Sequence, residues 1–142
     1  MKEGFPLLRG SFTEAPRSTS WRQRLRSRAT EGTLLQSGLD VVVVALYAHP
    51  WFFRDLRASI QRQIERTREF LKRNSETWFL ALSASDLLAG RTVGKRALVL
   101  SLEGAEGIVE SPEDAAWLWR EGVRIVAPFH LTDDRLGGCA LL

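Results

Sequence analysis

The chain of 142 residues contains few of the side chains that build disulfide frameworks and most zinc sites. It has one cysteine, Cys139, and two histidines, His49 and His130. A single thiol cannot form an intramolecular disulfide, and it excludes a zinc site made of several thiolates from this chain. A reducing compartment is compatible with this cysteine content.

Long apolar runs are also lacking. The longest run, residues 41–48, is far shorter than the roughly 20 residues of a membrane-spanning helix. The first residues, MKEGFPLLRGSF, lack the apolar core of a secretory signal. We therefore expect no membrane span and a cytoplasmic chain that is not exported.

Charge is nearly balanced, with a formal net charge of +3, but the excess of arginine is concentrated near the start. The clustered residues are Arg17, Arg22, Arg24, Arg26 and Arg28. Trp21 is the only aromatic residue among them, and no nucleic-acid-binding module surrounds them, so we expect a solvated segment and no nucleic-acid partner. A tail that binds phosphates is the lowest-ranked alternative. Because residues 1–33 show no sustained period, we predict an irregular basic segment there and a folded domain over 34–142.

The rest of the chain alternates between strand-like and helix-like patterns. Apolar runs predict strands at residues 39–47, 77–82, 96–103 and 123–129. The intervening segments predict a long helix over 53–74 and a short helix capped by Ser85 or Asp86 and ended by Gly90. They also predict a third helix that begins at the N-cap Ser111, with Pro112 at its first position, and ends at Gly122. The order predicts an α/β fold with about four parallel strands and helical crossovers, and leaves open whether the sheet is open or part of a barrel. The β-branched run at 39–47 is typical of a strand buried on both faces.

Two polar residues follow apolar strands and are candidates for function. Glu103 ends the strand ALVLSL, and His130 follows the strand VRIVAPF. In parallel α/β folds, functional groups gather at the carboxyl ends of strands. The pair could bind a metal, transfer protons or contact each other. The alternative for Glu103 is a structural carboxylate that accepts backbone N–H groups in the EGAEG turn. The alternative for His130 is a histidine at the edge of the core. His49, beside Pro50, is more typical of a packed loop.

Three segments resemble the membrane (renal) dipeptidase family of zinc metallopeptidases. They are LLQSGLDVVVVALYAHP, GKRALVLSLEGAEGI and LWREGVRIVAPFHLTDDRLGG, within a likeness that covers about residues 32–140. The resemblance implies a (β/α)8 TIM barrel that hydrolyses dipeptides with two zinc ions at the carboxyl ends of its strands. It further implies that Glu103 bridges the two metals, and that His130 contacts the substrate and stabilises the tetrahedral intermediate.

The chain departs from the family pattern in three ways. MKEGFPLLRGSF contains no counterpart of the family's His-x-Asp pair, the family's asparagine corresponds to Asp134, and two further metal-binding histidines belong to later strands. The chain supplies about four of the eight strands, so we expect a partial barrel with two sheet edges and an apolar face left without covering. The leading hypothesis is a truncated metallodipeptidase that is able to form a homo-oligomer. The alternative is a non-catalytic α/β interaction module without a metal centre.

Overall fold

A computed structural model describes residues 31–48, 53–130, 133, 135, 137 and 138. The chain divides into two units, residues 1–39 and 40–142. In the first unit, the described part is helix α1, Glu31–Gln36, and the turn after it, where the Ser37 hydroxyl donates to the Leu34 carbonyl at 2.7 Å. The arginine cluster at 17–28 and most of the segment 1–33 lie outside the described residues, so the predicted division at 33/34 stays a prediction.

The second unit alternates strands with helices. The strands are β1, Val41–Leu46; β2, Trp78–Leu80; β3, Arg96–Glu103; and β4, Val123–Ala127. The helices are α2, Leu56–Arg73; α3, Ala84–Thr92; and α4, Pro112–Arg120. All pairings in this four-stranded sheet are parallel, which confirms the predicted α/β class with helical crossovers. In the part of the chain that the structure covers, no helix is both long and apolar enough to span a bilayer.

Strand β3 is the centre of the sheet. It pairs with β1 from Val41↔Ala97 to Leu46↔Leu102 along one edge. Its other edge is shared, because β2 pairs with residues 96–98 and β4 with residues 100–103. Strands β1, β3 and β4 therefore lie side by side and parallel, with helices in the connections between strands, which is consistent with the predicted partial barrel.

Strand β4 contains a bulge at Arg124. The pairing passes from Leu100↔Val123 directly to Ser101↔Ile125, which leaves Arg124 as the extra residue. The Arg124 guanidinium donates to the carbonyls of Leu82 and Trp119, each at 2.8 Å, and it stacks 3.7 Å from the centroid of the Trp119 ring. The bulge is thus held by hydrogen bonds and by a cation–π contact.

The two faces of the sheet differ in their covering. On one face, the side chains of Val44, Leu46, Leu98, Leu100 and Leu102 are buried. Helix α2 packs on this face, where Phe70 contacts Trp78 edge-on with ring centroids 6.1 Å apart. Helix α4 lies beside α2, since Arg57 pairs with Asp114 at 2.6 Å and Arg68 with Glu121 at 2.8 Å.

The opposite face is partly open. Val41, Val43 and Ile125 point to this side and remain 42%, 53% and 46% exposed. The prediction that β1 is buried on both faces is therefore wrong, because helices α2 and α4 cover one face only. The expectation of an apolar sheet face without full covering agrees with these exposures.

Helix starts follow from local capping. Helix α4 has Ser111 as its N-cap and Pro112 in the first turn, as predicted, and Ser111 also forms a capping box with Asp114. Helix α3 begins earlier than predicted, because its N-cap is Ser83, which accepts from the Asp86 N–H at 3.2 Å. It also continues past Gly90 to Thr92, since this glycine is not a helix stop: an added Cβ there would overlap the ring of Phe79.

Because one face of the sheet is buried and the other is partly open, truncating side chains on the two faces should have different effects on stability. Leu100→Ala removes a side chain that is 1% exposed, so the free energy of unfolding should fall by about 2–5 kcal/mol. Val43→Ala, on the open face, should change it by less than about 1 kcal/mol. Urea unfolding followed by circular dichroism measures both, and equal losses would contradict the assignment of the faces.

The capping carboxylate of α4 predicts a pH-dependent stability. The Ser111 hydroxyl, the Glu110 N–H and Arg57 lower the pKa of Asp114, in that order of importance. The carboxylate therefore stabilises the fold above the ordinary aspartate range of about 4, and this contribution is lost as the pH falls through the lowered pKa of the folded state. Asp114→Asn should be less stable than the parent at neutral pH, and the difference should shrink in acid.

The matched control for Asp114→Asn is Glu113→Gln, which neutralises an exposed acid in the same helical turn. Urea unfolding of both variants at neutral and acidic pH makes the comparison. A destabilisation of Asp114→Asn that persists unchanged in acid would refute the capping argument.

Candidate active site at the strand ends

Strands β3 and β4 end beside each other, which places Glu103 and His130 on the same edge of the sheet. Glu103 is paired with Ala127, and His130 follows three residues later. The His130 Nδ1 atom lies 3.7 Å from Glu103 Oε1, and the two side chains are 36% and 45% exposed. This distance is too long for a hydrogen bond but short enough for attraction when the imidazole is protonated. The structure thus brings together the two residues singled out in the sequence.

The loops that follow these strands are bonded to each other. Gly104 has a φ of 87°, a left-handed conformation that turns the chain back after Glu103. The Ala105 N–H then donates to the Pro128 carbonyl at 3.1 Å. In return, the His130 N–H donates to Glu106 Oε1 at 3.1 Å. Each loop therefore donates one backbone N–H to the other.

Glu106 is a buried carboxylate, only 4% exposed. The sequence alternative for Glu103 was a structural carboxylate that accepts a backbone N–H in the EGAEG turn. In the structure, Glu106 accepts a backbone N–H from His130 in the neighbouring loop, while Glu103 lies partly exposed beside His130. Sequence reasoning missed Glu106, although an acid between the apolar residues Ala105 and Ile108 was a signal of burial.

Tyr47, directly after β1, completes the cluster around His130. The Tyr47 and His130 rings meet edge-on, with centroids 5.2 Å apart and an interplanar angle of 84°. Gln63 of α2 holds the tyrosine backbone, because the Tyr47 N–H donates to Gln63 Oε1 at 3.1 Å and Gln63 Nε2 donates to the Tyr47 carbonyl at 2.8 Å. Gln63 is a polar residue on the side of α2 that faces the sheet, and its role is to hold the backbone at the end of β1. No local sequence pattern indicated this contact.

The electrostatic environment keeps the tyrosine neutral. Burial raises the pKa of the Tyr47 phenol, and the negative charges of Glu106 and Glu103 raise it further. The phenol therefore stays protonated across the physiological range and retains its O–H for hydrogen bonding. Tyr47, Glu103, Glu106 and His130 thus form one interacting group, hereafter the rim cluster.

A complete zinc site cannot be built from the described residues. Among them, no three side chains of His, Cys, Asp or Glu gather closely enough to hold a metal ion. Catalytic zinc sites use three protein ligands, so the rim cluster does not fit a full centre. His49, Asp134 and Cys139 lie outside the residues that the structure describes.

Two solved structures from Pseudomonas aeruginosa share the fold of this chain. The probable dipeptidase PvdM matches with a TM-score of 0.57 and 17% identity, over 66% of this chain and 26% of that chain. An amidohydrolase matches with a TM-score of 0.56 and 14% identity, over 75% of this chain and 38% of that chain. No family model matches the chain, and no curated protein matches it. At these identities the likeness is one of fold, and the chain spans less than two fifths of either neighbour.

The rim cluster predicts a change in the titration of Tyr47, which is the only tyrosine in the chain. Glu106→Gln removes a negative charge that raises the phenol pKa, so the pKa should move down towards its ordinary value. Glu103→Gln should have the same effect, but a smaller one. The absorbance of tyrosinate during an alkaline titration reports this pKa.

The control for this titration is Glu65→Gln, which removes an exposed carboxylate on α2 and should leave the Tyr47 pKa unchanged. Circular dichroism must show that each variant keeps its fold over the titrated range. An unchanged tyrosine pKa in Glu106→Gln would exclude the proposed electrostatic link.

Proposed function

We propose that the chain contributes part of the active site of a dipeptidase-like metallohydrolase, with dipeptides as its substrates and zinc as its metal. The main support is the approach of Glu103 and His130 to 3.7 Å at the carboxyl ends of adjacent parallel strands. The fold similarity to a probable dipeptidase and to an amidohydrolase supports hydrolysis as the reaction class. The sequence resemblance supports a dipeptide as the substrate.

Each residue has a role that suits its chemistry. Glu103 is 45% exposed, so its carboxylate is accessible to a cation at the strand ends. His130 lies beside it and has an N–H that can donate to the carbonyl oxygen of a substrate. A donor aimed at developing negative charge stabilises a tetrahedral intermediate. Because the described residues do not form a complete zinc site, we assign no metal-dependent step to the chain alone.

The second candidate is a non-catalytic interaction module that associates with a second copy of itself. It is favoured by the open apolar face, where Val41, Val43 and Ile125 are exposed, and by the incomplete set of metal ligands among the described residues. Exposed apolar side chains on a sheet face are a frequent feature of association surfaces. This candidate predicts concentration-dependent dimerisation that does not respond to zinc.

Zinc titration of the purified chain distinguishes the two candidates. If Glu103 is a zinc ligand, calorimetry should detect binding that is weaker than that of a complete centre and that is lost in Glu103→Gln. Loss of a mere hydrogen-bond partner of a metal ligand lowers affinity roughly 10–100-fold, so loss of Glu103 should lower it at least as much. The His130→Ala variant should retain zinc binding, because His130 is assigned to the substrate.

The matched control is Glu113→Gln, an exposed acid on α4 that should leave zinc binding unchanged. Equal affinity of the parent and Glu103→Gln, or no binding by the parent, would reject the metallohydrolase proposal and favour the interaction module. Stoichiometric zinc together with zinc-dependent hydrolysis of a dehydrodipeptide would show that this chain forms a complete centre. That result would overturn the assignment of only part of a site.

A further inference from the structure

The pair of hydrogen bonds between the loops after β3 and β4 fixes the distance between Glu103 and His130. The first bond joins the backbones of Ala105 and Pro128, and the second joins the His130 N–H to the side chain of Glu106. Only the second bond depends on a side chain. It acts on the backbone of the residue whose imidazole faces Glu103.

Burying a carboxylate to accept this hydrogen bond costs free energy. Glu106 is 4% exposed, and removing a charged group from water is costly unless hydrogen bonds compensate for it. A charged acceptor, however, holds a backbone N–H more strongly than a neutral one. Its use here indicates that the position of the His130 backbone is under a tight constraint.

The turn after β3 is shaped around this carboxylate. An added Cβ on Gly104 would lie 2.5 Å from Glu106 Oε2, in addition to the strain of a side chain at a φ of 87°. The residue between Glu103 and the rest of the turn must therefore be a glycine for two independent reasons. The conformation of this turn and the place of the Glu106 side chain are consequently coupled.

We propose that Glu106 is a positioning residue, which holds the His130 backbone so that the imidazole contacts both Glu103 and the ring of Tyr47. This rests on the proposed function, in which His130 contacts the substrate. Glu106 itself acts through the His130 N–H. Its removal releases the loop after β4 and moves the imidazole away from both neighbours.

The test is a nuclear magnetic resonance comparison of the full chain with Glu106→Gln and Glu106→Leu. Glutamine keeps an oxygen that can accept the His130 N–H, so the imidazole proton shifts caused by the Tyr47 ring should be retained. Leucine removes the acceptor, so these shifts should be lost. The His130 amide should then exchange with solvent roughly 10–100-fold faster, as expected for loss of a hydrogen bond to a charged group.

The matched control is Phe70→Leu, which weakens packing against Trp78 at the opposite end of the sheet. It corrects for a general loss of stability and should leave the imidazole signals in place. Should Glu106→Leu fail to fold, Glu106→Ala, which also lacks a hydrogen-bond acceptor, provides the same comparison.

Retention of the imidazole shifts and of amide protection in Glu106→Leu, or in Glu106→Ala where that variant replaces it, would overturn the proposal. So would a loss of both in Glu106→Gln as large as in Glu106→Leu, because the neutral acceptor would then not rescue the position. The readout is independent of zinc. A negative result here leaves Glu103-dependent metal binding untouched, whereas failure of the zinc titration leaves the role of Glu106 in placing the imidazole untouched.

Discussion

The parallel pairing of β3 with every other strand of the described sheet is the constraint on which the remaining structure depends. Its first residues pair with β2, its last residues pair with β4, and its opposite edge pairs with β1 along almost its whole length. Parallel strands need crossover connections, so this pairing also requires the helices between them. The rim cluster exists because β1, β3 and β4 deliver their carboxyl ends to one edge of the sheet.

The covering of one face follows from the same constraint. Helices α2 and α4 run side by side, joined near both ends by the pairs Arg57–Asp114 and Arg68–Glu121. The surface pairs contribute little energy, whereas the apolar stripe of α2 buries Ile60 and Ile64 completely. The apolar layer between the helices and the sheet therefore provides most of the stability of the unit. The rim cluster and the open face lie on the sheet that this layer stabilises.

Much of the fold was predictable because its signals are local. The strand of residues 96–103 was predicted with the bounds it has, and Ser111 and Pro112 marked the start of α4 by capping alone. The meeting of Glu103 and His130 followed from the general rule that parallel strands end at a common edge. The division of the sheet into a buried and an open face was harder to predict, because a run of valines is compatible with burial on either side.

The parts that could not be predicted depend on contacts between distant residues. Gly90 was interpreted as a helix stop, but its small size accommodates Phe79, which lies in another element. Gln63 holds the backbone of Tyr47, and Glu106 holds that of His130. In each case the residue type is ordinary for its own segment, and its partner is revealed only by the tertiary structure.

The extra residue in β4 has a consequence for the spacing of the rim cluster. With the observed bulge, Ala127 lies opposite Glu103, so three residues of chain separate that level of the sheet from His130. If the pairing continued from Leu100↔Val123 without interruption, Val126 would take the place opposite Glu103. His130 would then be one residue, or about 3.3 Å, further along the chain. This shift is nearly as long as the 3.7 Å between the imidazole and the carboxylate. The extra residue Arg124 therefore acts as a spacer that sets the distance between Glu103 and His130.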